Sequence, residues 1–525
     1  MKLPGITVST ILSVFFLTWT QVAIAQESIL HSFTVYHSSP DSDDNYVTTP
    51  DGYGPTGTLI LDASGNLYGT APNGGSGNGG AVFEVMPGAP GVWTAKALHS
   101  FAGPGSGPEG SEPTSSLSFD SHGNLYGITE IGGTHDQGTV FELSPGTSGN
   151  WTEQVLFSFN SSGTGGALPN SGVILDAVGN LYGTTTTAGA NGGGTVFELS
   201  PVAGSGWTAK ELFSFPTPSA DVVSSGAILT FDAIGDLYGT KNTGGANGGG
   251  FAYELTPASE GSWMEKVLYN FAAGDAFTDG SFPSGPLTFD SEGNAYGVTA
   301  NGGACGLGTV YELSPGTDES WTQKILHNFS CDSSGLEGSG PEGNLLLDAA
   351  GNLYGTTNLG GVGDYGPSGT LYKLTPATDG AWTETILHEF GATPVDGIYP
   401  AAGLVVDAQG NLYGTTTNGG GPDVQNFAGP IGQGTVYKMA FTATTVATPE
   451  LSLGAGTYTS AQMVTIKDAT AGATIYYTTN GYQPNASSTI YTGPITVSES
   501  EQVKAIAYNS VGAYSETVTA AYTIR

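Results

Sequence analysis

The sequence predicts an all-β chain: a seven-bladed β-propeller of four-stranded blades, its N-terminal strand closing the last blade, followed by a small antiparallel β-sandwich. Three observations predict it. A run of the form GNLYGT, a Gly-rich gap and a run of the form GTVFELSP recur seven times, their tyrosines (Tyr68, Tyr126, Tyr182, Tyr238, Tyr296, Tyr354, Tyr413) spaced by 56 to 59 residues. Self-similarity at that period marks one supersecondary unit repeated, each too small to bury its apolar face without a neighbour. Each copy also holds four short runs rich in β-branched and aromatic residues and bounded by Gly, Pro, Asn or Asp, with no helical period anywhere. Finally, the Trp-led fourth run follows the others only six times, at Trp93, Trp151, Trp207, Trp263, Trp321 and Trp382. The missing copy lies at the front, where Ile29-Leu30-His31-Ser32-Phe33 matches Ala97-Leu98-His99-Ser100-Phe101. A ring closed this way leaves few open sheet edges.

In chain order, residues 1–25 read as a secretory signal peptide. Lys2 precedes an apolar run over residues 6–19, and Ala23-Ile24-Ala25 is a small-x-small site that places cleavage between Ala25 and Gln26. That run is too short for a membrane span and no second one follows, so the expectation is a secreted or cell-surface protein with no transmembrane anchor.

Residues 26–443 form the repeat region. In the copy at 172–215 the four strands are expected at 172–177, 180–185, 194–200 and 207–215. Charges support this order of pairing. The third strand carries Glu84, Glu142, Glu198, Glu254 and Glu312, and the fourth carries Lys96, Lys210, Lys266 and Lys324 at one fixed position; Gln154 breaks the series. In the last two copies the third strand has Lys373 and Lys438, and the matching fourth-strand positions become Thr385 and Ser28, with Glu384 and Glu27 beside them. Opposite charges facing across neighbouring strands produce such a pattern, which leaves Lys241 as the odd lysine out. The recurring DAxGN turns, led by Asp62, Asp120, Asp176, Asp232, Asp290, Asp348 and Asp407, read as hairpin formers, because Asp can bond its own downstream backbone and Gly takes φ > 0. Residues 444–525 lose the repeat, start with a Thr/Ala/Pro linker and continue as short alternating runs, the pattern of a small sandwich.

Two resemblances follow from these strings. GNLYGTT, paired Gly, GTVFELSP and WTxxxLHSF together resemble the GloVer-type, choice-of-anchor tandem repeat of bacterial exported proteins, over residues 26–443. That resemblance implies export and carries no activity with it. The tail, with GATIYYTTNGYQP, YTGPITV and VKAIAYNSVGAYSE, is similar to the β-sandwich at the C-termini of chitobiases and β-hexosaminidases, an accessory module without catalytic residues. Asn480 stands where that module usually has Asp.

Composition narrows the function. Forty-six acidic against eleven basic residues give a formal charge of −35, so the clustered cations that a phosphate backbone needs are missing and nucleic acid is excluded as a partner. No GxSxG, HExxH or P-loop pattern occurs. In a ring of such blades the second-to-third and blade-to-blade loops share one face, and here these are the long ones, so that face is the expected binding surface. It should hold an acid-Gly pair four residues before a Pro, at Asp51, Glu109, Asp279, Glu337 and Asp396, together with Asp275 and Phe277. Such carboxylates could hydrogen-bond sugar hydroxyls, hold calcium, or simply form turns; Asp41, Asp43 and Asp44 are a further calcium candidate. No other cofactor is called for. Cys305 and Cys331 should project from the same face, and export favours a disulfide between them over a zinc site. His31, His99, His327 and His388 share one repeat position and read as packing residues. The expectation is a monomeric binding or surface-interaction module for polysaccharide or cell-surface glycan, without catalytic residues. The alternatives are a carbohydrate-active hydrolase or lyase on the loop-rich face, and a purely structural extracellular protein.

Overall fold

Each repeat copy becomes one antiparallel sheet, because apolar side chains alternate along its strands and turn residues sit between them. The computed structural model describes residues 24–525 except 38–45, 218–227, 273–277, 330–336, 362–367, 422–430, 443–446, 509–514 and several gaps of one to three residues. In the first sheet the order is Ile60–Leu61, Leu67–Ala71, Asn78–Pro87, Trp93–Ala102, with Tyr68 opposite Glu84 and Glu84 opposite Lys96. Seven repeat sheets of this kind are present among the described residues, and the only helical element there is the short 3-10 turn Ser259–Gly261. In the seventh, Ile431–Thr442 pairs on one side with Leu412–Thr416 and on the other with the N-terminal strand Ile24–His37. The chain's first strand is thus the fourth strand of its last repeat sheet, in the place of the missing Trp-led run, and the short strand Tyr46–Thr48 pairs with its last residues.

The turns behave as the Asp-Gly pattern predicts. Asp62 Oδ1 accepts the N–H groups of Ser64 and Asn66 at 2.8 and 2.9 Å, while Oδ2 accepts from Asn66 Nδ2 at 2.8 Å and the Tyr68 hydroxyl at 3.2 Å. The repeated Tyr is therefore the roof of its own turn. Glu84, Glu198, Glu254 and Glu312 face Lys96, Lys210, Lys266 and Lys324 in register, whereas Lys373 faces Thr385 and Glu384 stands opposite Leu374; among the described residues only Glu198–Lys210 and Glu254–Lys266 of these pairs lie within 4 Å, at 3.9 and 3.8 Å. Three lysines reach further: Lys96, Lys210 and Lys324 donate to the carbonyls of Gly149, Gly261 and Gly380 in the turn of the following sheet. Their stems cover apolar surface while the ammonium bridges sheets.

One aromatic contact explains how sheets join. A fully buried ring on each third strand packs against the Phe that ends the preceding sheet's fourth strand. The pairs are Phe33–Phe83, Phe101–Phe141, Phe159–Phe197, Phe215–Tyr253, Phe271–Tyr311, Phe329–Tyr372 and Phe390–Tyr437, all with centroids 5.0 to 5.2 Å apart. Each such contact is worth about 1 kcal/mol beyond the area it buries. The series includes a contact between the last sheet and the first, since Phe33 belongs to the N-terminal strand of the seventh sheet and Phe83 to the first. It also explains the Gly in LYGT: a Cβ on Gly69 would lie 2.5 Å from the Phe83 ring.

The described chain divides into two compact units, Glu27–Met439 and Ala440–Arg525. In the second, a five-stranded sheet contains Thr474–Thr478, Glu501–Tyr508 and Val518–Ile524, and two two-stranded pairs, Glu450–Leu451 with Ile466–Lys467 and Gln462–Val464 with Ile495–Val497, complete the set. Val464, Ile466, Ile495, Val497, Val503 and Tyr522 from all three form a single buried core.

Candidate functional site

The first strands of all seven repeat sheets start around one cavity of about 430 Å³. Its wall consists of short polar triplets such as Thr56-Gly57-Thr58, Thr114-Ser115-Ser116, Asn170-Ser171-Gly172 and Ser284-Gly285-Pro286, with Ile228, Glu342 and Gly403 from the remaining sheets. Crowding dictates the small residues: a Cβ on Gly172 would stand 2.5 Å from the Ser116 carbonyl. Neighbouring triplets hydrogen-bond to one another; Thr56 Oγ1 donates to Thr114 O at 2.9 Å, and the Gly403 N–H donates to Thr58 Oγ1 at 3.0 Å. A second cavity of about 270 Å³ shares Thr58, Ser116, Ile228 and Pro286 with the first, so the opening continues inward.

Asn242 and Ala300, at the ends of second strands, and Phe282, at the start of the first strand Ser281–Phe289, place this cavity on the face that the long loops occupy. Phe282 is 36% exposed and has φ 56°, and Glu112, Leu168 and Tyr399 at the same repeat position have φ 59°, 55° and 60°. A left-handed residue before Pro is therefore part of the repeat, and in one copy it presents an aromatic ring to solvent. Glu342 is the one carboxyl among the described lining residues; burial raises its pKa against a weak donation from Asn358. No Lys, Arg or His is in the described lining.

The five acid-Gly carboxylates do not line this cavity. Four of them turn back to the His or Tyr position in the fourth strand of the preceding sheet, and Glu337 is grouped with that position as well. Asp51 lies 2.6 Å from His31 Nε2, Glu109 is 3.5 Å from His99 Nε2, Asp279 accepts from the Tyr269 hydroxyl at 2.7 Å, and Asp396 is 3.3 Å from His388 Nε2. Glu337 belongs to a group with His327. Where the fourth strand of the second sheet has Phe157, the acid's place is taken by Gly165, whose Cβ would meet that ring at 3.4 Å. The histidines do pack edge-on against the Phe two positions later, as in His388–Phe390 at 4.7 Å, but packing is half their role. Sequence reading missed the other half; the signal was that acids occur after His or Tyr and not after Phe157. Asp275, Phe277, Cys331, Asp41, Asp43 and Asp44 lie outside the described residues, while Cys305 is half-buried in its second-to-third loop.

Three of these pairs receive a second carboxyl from the next sheet, four residues before the His or Phe position: Glu153, Glu384 and Glu27. Burial, with Asp396 adding to it against the pull of His388, pushes Glu27 up to about 8. Burial and the neighbouring Glu337 push Glu384 up to about 7, and burial and Glu109 do the same to Glu153. Burial lowers His99 and His327, whereas at His388 the same burial is outweighed by Asp396 and Glu27, which raise it.

Lys241, the unassigned lysine, is 3% exposed, and burial alone lowers its pKa to about 8. Five sheets have at its place one member of a buried Thr–Thr pair, as in Thr299–Thr309 at 2.8 Å. In the fourth sheet Lys241 faces Phe251, and its Nζ lies 4.7 Å from the Phe215 ring centroid beside a cavity of about 170 Å³.

No curated protein matches the chain. Among solved structures it is similar to the extracellular domain of BT4673 from B. thetaiotaomicron, with a TM-score of 0.45 and 11% identity over 95% of this chain, which spans 59% of that domain. PorZ, a surface component of the type-IX secretion system of Porphyromonas gingivalis, aligns with a TM-score of 0.36 and 14% identity over 92% of this chain and 67% of PorZ. A luciferin-regenerating enzyme gives 0.35 and 13% over 62% of this chain and 91% of its own. Among the described residues no helix is long and apolar enough to cross a membrane. The Gloeobacter/Verrucomicrobia repeat matches over residues 34–175, 176–427 and 283–521, most of the sequence, and the chain belongs to that repeat family.

Proposed function

We propose that this chain is an exported, seven-bladed β-propeller with a C-terminal β-sandwich, and that it is a binding or surface-interaction module directed at carbohydrate. The series of seven aromatic contacts supports the ring, and the leader-like residues 1–25 support export. The observation that carries the functional reading is the cavity of about 430 Å³ on the loop-rich face, a size suited to a small ligand or the end of a glycan. Hydroxyls, amides and backbone groups line it without a cation, which suits a neutral polyol and offers an anionic group nothing to pair with. Phe282 supplies an exposed ring against which a sugar face can stack. A hydrolase would need a second carboxyl roughly 5 to 9.5 Å from the first, and Glu342 stands alone among the described lining residues.

A glycan array probed with the labelled mature chain tests the reading. Binding that weakens at least tenfold in Phe282→Ser and Thr58→Val, with no new reducing ends after incubation, supports it. Hits insensitive to both substitutions, or none, defeat it.

A further inference from the structure

The seam between neighbouring sheets holds imidazoles that face two carboxyls at longer distances than short hydrogen bonds; the one hydrogen bond among them, His388 Nε2 to Asp396 Oδ1, is stretched to 3.4 Å. His388 Nε2 is 3.4 Å from Glu27 Oε2 and 3.3 Å from Asp396 Oδ2. His327 Nε2 is 3.7 Å from Glu384 Oε1, and Glu337 brings the third ligand atom within 4.8 Å of both. N–H···O bonds run at roughly 2.7 to 3.2 Å. The molecule contains its own control: where the following sheet offers Ala95 in place of a glutamate, His31 and Asp51 close to 2.6 Å. A second carboxyl therefore goes with an imidazole held open between two oxygens.

Three further observations point to a ligand between them. Ligand atoms about 2.0 to 2.1 Å from a tetrahedral zinc ion are about 3.3 Å apart from one another, the separation found around His388. Glu384 is only 8% exposed, and its Oε1 and His327 Nε2 are buried without a hydrogen-bond partner, as is Glu27 Oε1. The imidazoles are fixed edge-on by Phe329 and Phe390 at 4.9 and 4.7 Å, which keeps Nε2 aimed at the carboxyls. One imidazole with two carboxyls is a donor set for a first-row divalent cation, and once a binding ion displaces the carboxyl protons its charge of −2 matches such an ion.

We propose that Glu27–His388–Asp396 and Glu384–His327–Glu337 are two seam sites for a divalent transition-metal cation, with zinc as the reference ion. Each takes an imidazole and one carboxylate from one sheet and the second carboxylate from the next, so an ion there staples adjacent sheets. In the first site the staple holds the N-terminal strand, since Glu27 is the second residue after the expected cleavage point. His99 Nε2 lies 3.5 Å from Glu109, but the ligand atoms of His99, Glu109 and Glu153 do not all group within 4.8 Å of one another, and these residues are not counted.

The test uses the mature chain, freed of metal by chelator and dialysed against zinc, with bound zinc counted by elemental analysis and titrated by calorimetry. Two ions per chain are expected, one in Asp396→Asn, one in Glu384→Gln, and none in the double variant, with cobalt(II) giving a tetrahedral visible spectrum in the parent. Thermal unfolding of the parent should rise with zinc, and that rise should be lost in the double variant. A folded parent, judged by circular dichroism, that retains no zinc overturns the proposal. So does a double variant that binds as many ions as the parent, which would place them on the acidic surface.

Discussion

Replacing Lys241 by Met keeps the length of the side chain and its stem against Phe215 while removing a buried charge. In the folded chain burial lowers this lysine from 10.5 to about 8. That difference corresponds to about 3 kcal/mol at about 1.4 kcal/mol per unit. A lowered lysine binds fewer protons folded than unfolded between those two values, so stability rises with pH across that interval. Below pH 8 the penalty is complete; above 10.5 it is gone. Lys241→Met should therefore be more stable than the parent by roughly 2 to 3 kcal/mol at pH 7, and the gap should shrink to about 1 kcal/mol near pH 9.5. Urea unfolding followed by tryptophan fluorescence reads it cleanly, because all tryptophans beyond residue 25 lie between Trp93 and Trp382 and none lies in the C-terminal unit. A gap that does not change between pH 7 and 9.5, or a variant less stable than the parent at pH 7, refutes the reasoning.

Phe33→Ala should cost about 3 to 5 kcal/mol, since Phe33 is fully buried against Phe83 and joins the N-terminal strand to the first sheet; a loss under 1 kcal/mol in the same urea assay would show that the repeat unit holds without that contact. Gly308→Ala should destabilise by more than about 2 kcal/mol, because φ is +102° and the new Cβ would stand 2.5 Å from Pro341 Cδ and Thr299 O. Glu153, raised to about 7 by burial and Glu109, binds an extra proton in the folded state, so its contribution falls as pH climbs from about 4.5 to 7; Glu153→Gln should match the parent at pH 4.5 and exceed it in thermal midpoint at pH 8. Cys305 and Cys331 should yield no free thiol in the denatured, unreduced chain prepared under oxidising conditions and two after reduction, measured with a chromogenic disulfide reagent.

Strand identity was legible because burial follows the repeat. The run expected at 194–200 is Gly192–Val202 and that at 207–215 is Gly206–Pro216. The first strand, expected over 172–177, shrinks to Ile174–Leu175. Gly172 there presses on Ser116 of the neighbouring sheet, so its backbone serves the cavity wall instead of the ladder. The cavity itself was not legible, since Thr58, Ser116 and Ser171 are ordinary residues until seven copies converge. The seam groups escaped for a related reason. Alignment of copies reveals what recurs within a sheet, but Glu384 touches His327 of the copy before it, and that contact runs across the alignment instead of along it. Lys241 could be noticed as an exception in the sequence, although its burial between Phe215 and Phe251 needed coordinates.

The pairing of Ile24–His37 with Ile431–Thr442 separates partners by almost the whole repeat region. The earliest β-segment to be synthesised waits for the latest, with an unsatisfied backbone edge in the interval, and such long-range closure is slow and exposed to misassembly. Assembly of the repeat unit is thus an event that needs both of its ends, and it is hazardous for any truncated product.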